Sequence, residues 1–516
     1  MCNCCQNLNR RQFLGTSTAA ALAADAKSQV VPQAFASAAS EPWPDDYWDP
    51  SRPFAAVSRP LRVQPILMYA TPARKEARSW KSWGDIQTRE AALQEARRIE
   101  EELAGLARQA EFPLQFLPVA AVSDVEQAAR AHAGGAQATI VFPATGSGDL
   151  LRSCIPDRNT VVFVRHQSGP IYYWYEALST RYLKPDREEF KPDDRRRLTV
   201  HDVVVDDLSE LLWRLRGLHA AHNFMGSRVV AVGGPMGKYD GSAPQVARDR
   251  YRFEILDYGY PALEARIQAV FADPRCRSLA EKWAAQYLSL ARTRLATDRG
   301  FVVNAFLLYG IFKDLLKENR THLFTINNCM STIMPMAKTT ACLTLSLMND
   351  EGLVAFCESD FVIIPAGILL SYLARKPVFM HNSTFPHNGM VTCAHCTSPR
   401  RMDRDRYEPA LITTHYESEY GAAPKVDFRQ GQTVSFIDPE YATGRWLGIR
   451  GRVESNPSFE ICRSQQDVRI DGKWRRLLEE VRDSHWMMVY GDVLKEAGYA
   501  APRIGVTWDS LCDPDA

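Results

Sequence analysis

The chain has 516 residues, with 62 lysines and arginines against 61 aspartates and glutamates and a formal net charge of +1. That length exceeds one hydrophobic core and predicts two or three domains. Charge this evenly balanced gives no electrostatic reason to expect a nucleic acid or an anionic membrane as partner. No run of about 18 uninterrupted apolar residues occurs, so no membrane span is expected. The longest apolar run, 361–373, is broken by Pro365 and Gly367 and reads as a buried helix. Three of the twelve cysteines fall within the first five residues. The other nine are scattered, which is not the pattern of a disulfide framework. Cys393-Ala-His-Cys396 is the only later CxxC, and no second pair completes a four-ligand zinc site.

The first forty residues hold Arg10-Arg11-Gln12-Phe13-Leu14-Gly15, a mild alanine-rich run and small-residue cleavage options near Ala36. This resembles a twin-arginine export signal and predicts a periplasmic protein. The alternative is a disordered N-terminal arm on a cytoplasmic one. Residues 41–60, rich in Pro, Trp and Asp, read as a surface-hugging linker. An N-terminal α/β domain is expected over 41–225, with apolar runs at 63–69, 116–119, 138–142 and 161–164 separated by helical spacing such as 89–110. Gly146-Ser147-Gly148-Asp149 reads as a plain turn, because no phosphate-binding pattern surrounds it.

A second α/β domain is expected over 226–385. The strand at 228–232 ends in Gly233-Gly234-Pro235-Met236-Gly237. Helical patterns follow at 263–271, 279–296 and 302–318, and then a strand at 323–326 ends at Asn328. Leu353 to Phe356 is the next strand, stopping at Cys357-Glu358-Ser359-Asp360. A helix follows, then Lys376-Pro377 and a strand ending at His381. Strands alternating with helices imply parallel sheets, and ligands of such sheets bind at the carboxyl ends of the strands. Asn328, Glu358 and His381 are therefore expected on one rim of the second sheet. A C-terminal domain is expected over 386–516; after Pro399 the text turns to β-branched and aromatic alternation, at 411–416, 432–437 and 446–453. This predicts a mostly antiparallel, β-barrel-like domain, with a helix over 482–492. The fold class is thus α/β: two Rossmann-like parallel-sheet domains followed by a β-barrel-like C-terminal domain.

Glu358 and Asp360 stand where a strand gives way to a helix, and helix N-terminal amides hold negative charge. Such acids also serve as simple helix caps. Here both flanks are apolar, and a sheltered carboxylate must be paired, protonated or metal-bound. His381 is a candidate co-ligand; otherwise it is a loop histidine satisfied by hydrogen bonds.

The succession Leu347-Met348-Asn349-Asp350-Glu351-Gly352-Leu353, Cys357-Glu358-Ser359-Asp360, Lys376-Pro377-Val378-Phe379-Met380-His381, Ala394-His395-Cys396-Thr397, Thr414-His415-Tyr416-Glu417-Ser418 and His485 with Tyr490-Gly491-Asp492 resembles the L-fucose/L-arabinose isomerase-like superfamily over roughly 225–500. The resemblance implies the same three-domain layout, a trimer or hexamer, and a metal-dependent aldose–ketose isomerase acting through an enediolate. It implies Glu358 as metal ligand and base, and His485 as another ligand. Mn²⁺ is the expected cofactor, with Fe²⁺, Co²⁺ or Zn²⁺ as alternatives. His381 falls where the family has a ligating aspartate. Two histidines with one carboxylate favour softer metals and remove one carboxylate from proton transfer. Asp360 is expected to partner or orient Glu358, and Asn328 and His395 to contact sugar hydroxyls. Two other functions fit the same residues. One is a non-catalytic sugar-binding or sensing protein, favoured by the His381 departure and the export signal. The other is a different metal-assisted sugar reaction, of the epimerase or aldolase type.

Overall fold

The computed structural model describes residues 43–179, 183, 198–440, 443–480 and 484–512. The export-signal segment lies outside them. The N-terminal sheet is parallel. Its strands run in the order Leu114–Phe116, Leu61–Met68, Ala138–Pro143, Thr160–Val164 and Val203–Val205, and Ala120–Val122 also pairs with Leu61–Met68. A second parallel sheet has the order Val354–Cys357, Leu323–Ile326, Arg228–Val232, Glu254–Tyr258. The chain first builds outward from Arg228–Val232 on one side and then returns to the other. That leaves a topological switch point beside the loop that follows Val232.

The C-terminal region closes into a six-stranded antiparallel barrel. Going round, its strands are Thr433–Glu440, His485–Tyr490, Phe379–Ser383, Met390–His395, Ser464–Ile470 and Arg445–Ser455, and the last pairs back to the first. Full closure leaves these six strands no open edge. Thr507–Ser510 adds a parallel strand outside the circle. A separate three-stranded sheet joins Ala423–Val426, Ala410–Thr413 and Thr293–Leu295.

Three expectations need correcting. Phe379–Ser383 does not extend the second parallel sheet, because both its edges are occupied by antiparallel barrel strands. A strand–helix–strand rhythm in sequence does not say which sheet the second strand joins. Residues 485–490 are a fully buried strand rather than a helix, since a short apolar run of this kind carries no decisive period. Finally, the linker expected to hug the surface is pinned into the core by its aromatic residues, while Pro44, Asp45 and Asp46 between them are exposed. Trp43, Tyr47 and Trp48 are buried, with the Trp48 ring 4.8 Å from that of Phe306.

The second sheet and the barrel share one continuous hydrophobic core, while the N-terminal sheet has its own. The helix Ile364–Ala374 lies between sheet and barrel and is buried on every side, as its unbroken apolar text requires. Gly367 sits at the tightest point. A Cβ there would come within 2.6 Å of Phe356 Cζ, on the sheet, and 3.0 Å of Met487 Sδ, on the barrel. We therefore expect Gly367→Ala to destabilise the chain by about 1–3 kcal/mol through overpacking, read as a lower urea midpoint. An unchanged midpoint would show that sheet and barrel are not wedged against this helix.

Candidate metal centre

The strand Val354–Cys357 ends in two consecutive non-glycine residues with left-handed backbone, Glu358 at φ 66° and Ser359 at φ 47°. That conformation is costly for residues bearing a Cβ and persists only where the surroundings impose it. The loop after Arg228–Val232 imposes it here. Met236 N–H donates to the Ser359 carbonyl at 3.0 Å, and Phe361 N–H donates to the Met236 carbonyl at 2.8 Å. Asp360 Oδ1 accepts backbone N–H bonds from Lys238 at 3.0 Å and from Val362 at 3.2 Å. Two loops of the parallel sheet are thus tied together at its carboxyl rim.

Two barrel histidines meet this turn. His485 opens one strand and His395 closes another. His485 Nε2 is 3.6 Å from Glu358 Oε2, and His395 Nε2 is 3.7 Å from Glu358 Oε1. The second ring nitrogen of each is engaged from behind. His485 Nδ1 lies 3.4 Å from Asp360 Oδ2, and His395 Nδ1 lies 2.9 Å from Thr397 Oγ1. Such outer partners hold the imidazole tautomer and aim Nε2 inward. Glu358, His395 and His485 are all buried, and each presents one ligand atom within 4.8 Å of the other two. One carboxylate and two imidazoles in that arrangement fit a divalent cation.

A fourth side chain completes the cluster. Lys238 Nζ stands 3.7 Å from Glu358 Oε2 and 3.4 Å from His485 Nε2, and the lysine side chain is 4% exposed. Burial alone would raise the Glu358 carboxyl. His485, a hydrogen bond and charge from His395, and the Lys238 ammonium outweigh burial and hold it below the ordinary carboxylate range.

His381 is not part of the group. In the barrel wall His381 pairs with Trp486, whereas His485 pairs with Asn382. Directly opposed residues share a face and successive residues alternate, so His381 and His485 project from opposite faces of the wall. The His381 ring lies among Phe379, Phe436 and Trp486, at 5.4, 5.5 and 6.3 Å between centroids. Its Nδ1 is 3.3 Å from Ser383 Oγ, and its Nε2 has no hydrogen-bond partner among the described residues. His395, expected at the sugar, takes the place expected for His381. Asn328 is exposed and occupied locally: it starts the helix Cys329–Ala337 with a left-handed backbone, and its carbonyl accepts bonds from Ser331 and Thr332. Lys238 was not anticipated, although the Gly-Gly-Pro-Met-Gly text just before it marks a strand-end loop.

No protein-family model matches the chain, and no curated protein matches its sequence.

Burial pushes the His381 imidazole down to about 3 from its ordinary 6.5. The folded group stays neutral while the unfolded one takes up a proton, so its contribution to stability is present above pH 6.5 and is lost as pH falls toward 3. We expect His381→Phe to keep Mn²⁺ binding at neutral pH and to lose less stability than the wild type between those two values. His395→Ala should lose Mn²⁺ binding. Titration calorimetry and urea unfolding across pH check both, and loss of binding in His381→Phe would reverse the assignment.

Proposed function

We propose that the chain is a divalent-metal-dependent sugar isomerase that interconverts an aldose and a ketose, with Mn²⁺ as its metal. The observation that carries this reading is the buried carboxylate facing two imidazoles whose outward nitrogens are already engaged. The resemblance of the surrounding motifs to the L-fucose/L-arabinose isomerase-like superfamily supplies the substrate class.

Glu358, His395 and His485 are the residues that would hold the cation, which supplies electrostatic stabilisation of charge developing on neighbouring sugar oxygens, worth several kcal/mol. The reaction moves a proton between C1 and C2 of the sugar. Glu358 is the carboxylate available for this duty: it is kept ionised, so it can accept the proton from one carbon and, once that proton has exchanged with solvent, deliver one to the adjacent carbon. Asp360 is committed elsewhere. Its Oδ1 accepts two backbone N–H bonds and its Oδ2 faces His485 Nδ1, so it orients the histidine and shapes the turn. The twin-arginine-like leader supports an exported enzyme, and the family resemblance supports a homo-oligomer.

Isotope exchange tests the chemistry. An aldose converted in D₂O should gain one solvent deuteron at the carbon beside the carbonyl, and Glu358→Gln should slow conversion at least about 100-fold with an unchanged circular-dichroism spectrum. Sugar binding without turnover in the metal-loaded wild type would instead favour a sensing protein. Wild-type rates in Glu358→Gln would remove this residue as the base.

A further inference from the structure

We propose that Lys238 is a built-in counter-ion of the centre, which a divalent cation must displace in order to bind. The proposal rests on the metal reading above and goes beyond it by assigning a competitor within the chain.

The His485 Nε2 lone pair is the point of conflict. Only a neutral imidazole can ligate a metal ion, and in that state, with Nδ1–H donating to the Asp360 carboxylate, it has one lone pair, at Nε2. Lys238 Nζ lies 3.4 Å from that atom and 3.7 Å from Glu358 Oε2. An ammonium has only protons to offer, so it uses the same lone pair and the same carboxylate oxygen that a metal ion would. One lone pair cannot serve both. Like charge adds to the exclusion, since an ammonium left in place would lie beside a dication in a site sheltered from water.

The backbone can stay in place while the side chain leaves. Lys238 N–H is anchored to Asp360 Oδ1 at 3.0 Å, and its neighbour Met236 is bridged to the strained turn on both sides. Exchange is therefore a rotation of the four-carbon lysine stem, with the Glu358–Asp360 turn held throughout. Without the cation, Lys238 neutralises the buried carboxylate and keeps the ligands together. With the cation bound, the ammonium is released from the ligand cluster.

Two measurements on the full chain test this. Titration calorimetry with Mn²⁺ should give at least about tenfold tighter binding to Lys238→Met than to the wild type at the same pH. In the wild type, Lys238 should resist an amine-acylating reagent without metal and become labelled at saturating Mn²⁺, as read by peptide mass spectrometry. The second measurement needs no variant and stands even if Lys238→Met misfolds. Equal Mn²⁺ affinity in the two proteins, or unchanged protection of Lys238 at saturation, would overturn the proposal. No Mn²⁺ binding by either protein would take away the metal reading itself, and this proposal with it.

Discussion

The Glu358 carboxylate is buried between a parallel sheet and a closed barrel, and that burial constrains the rest of the structure. Moving an isolated carboxylate out of water costs several kcal/mol even after the protein relaxes around it. Glu358 meets that cost with groups from three distant parts of the chain: Lys238 from a loop of the sheet, His395 from the end of one barrel strand and His485 from the start of another. Removing any one of them takes a partner from a buried carboxylate. The cluster therefore works as a clasp as well as a site. Sheet and barrel must dock in one register for the carboxylate to be satisfied.

The backbone carries part of the same load. Two successive left-handed residues, Glu358 and Ser359, aim the carboxylate at the barrel, and the neighbouring loop holds them by hydrogen bonds on both sides. Strain of this sort gathers at functional sites. The fully buried helix Ile364–Ala374 follows directly and is wedged between the two layers by Gly367. Positioning of the site is thus inherited from packing, with little left to mobile side chains. The exception is Lys238, whose long stem is the one part of the cluster able to move while the backbone stays fixed.

Much of this was legible in the sequence. Alternating strands and helices indicate the two parallel sheets, and the loss of that rhythm after Pro399 indicates the antiparallel barrel. Glu358 and Asp360 stood out because acidic residues between two apolar segments are easy to see. His485 and His395 are both marked by the motifs that carry the resemblance, His485 as a ligand and His395 as a sugar contact. The His381 assignment was not recoverable, because it depends on strand register. A histidine one position away from Asn382 projects from the other face of the wall, and its register is set against the distant strand His485–Tyr490. The switch of Phe379–Ser383 from sheet to barrel has a similar origin. Local text defines a strand without naming its neighbours. Nothing in the sequence marks Lys238, since a lysine following a glycine-rich stretch is ordinary surface text until the fold buries its side chain.

The central claim is that Glu358, His395 and His485 surround a common cation at the seam. Anomalous diffraction from crystals soaked in Mn²⁺, collected near the manganese edge, tests it most directly. One strong peak is expected within about 2.0–2.3 Å of His395 Nε2, His485 Nε2 and a Glu358 carboxylate oxygen. A peak elsewhere in the molecule, or none at saturating Mn²⁺ with the three side chains ordered, would contradict it.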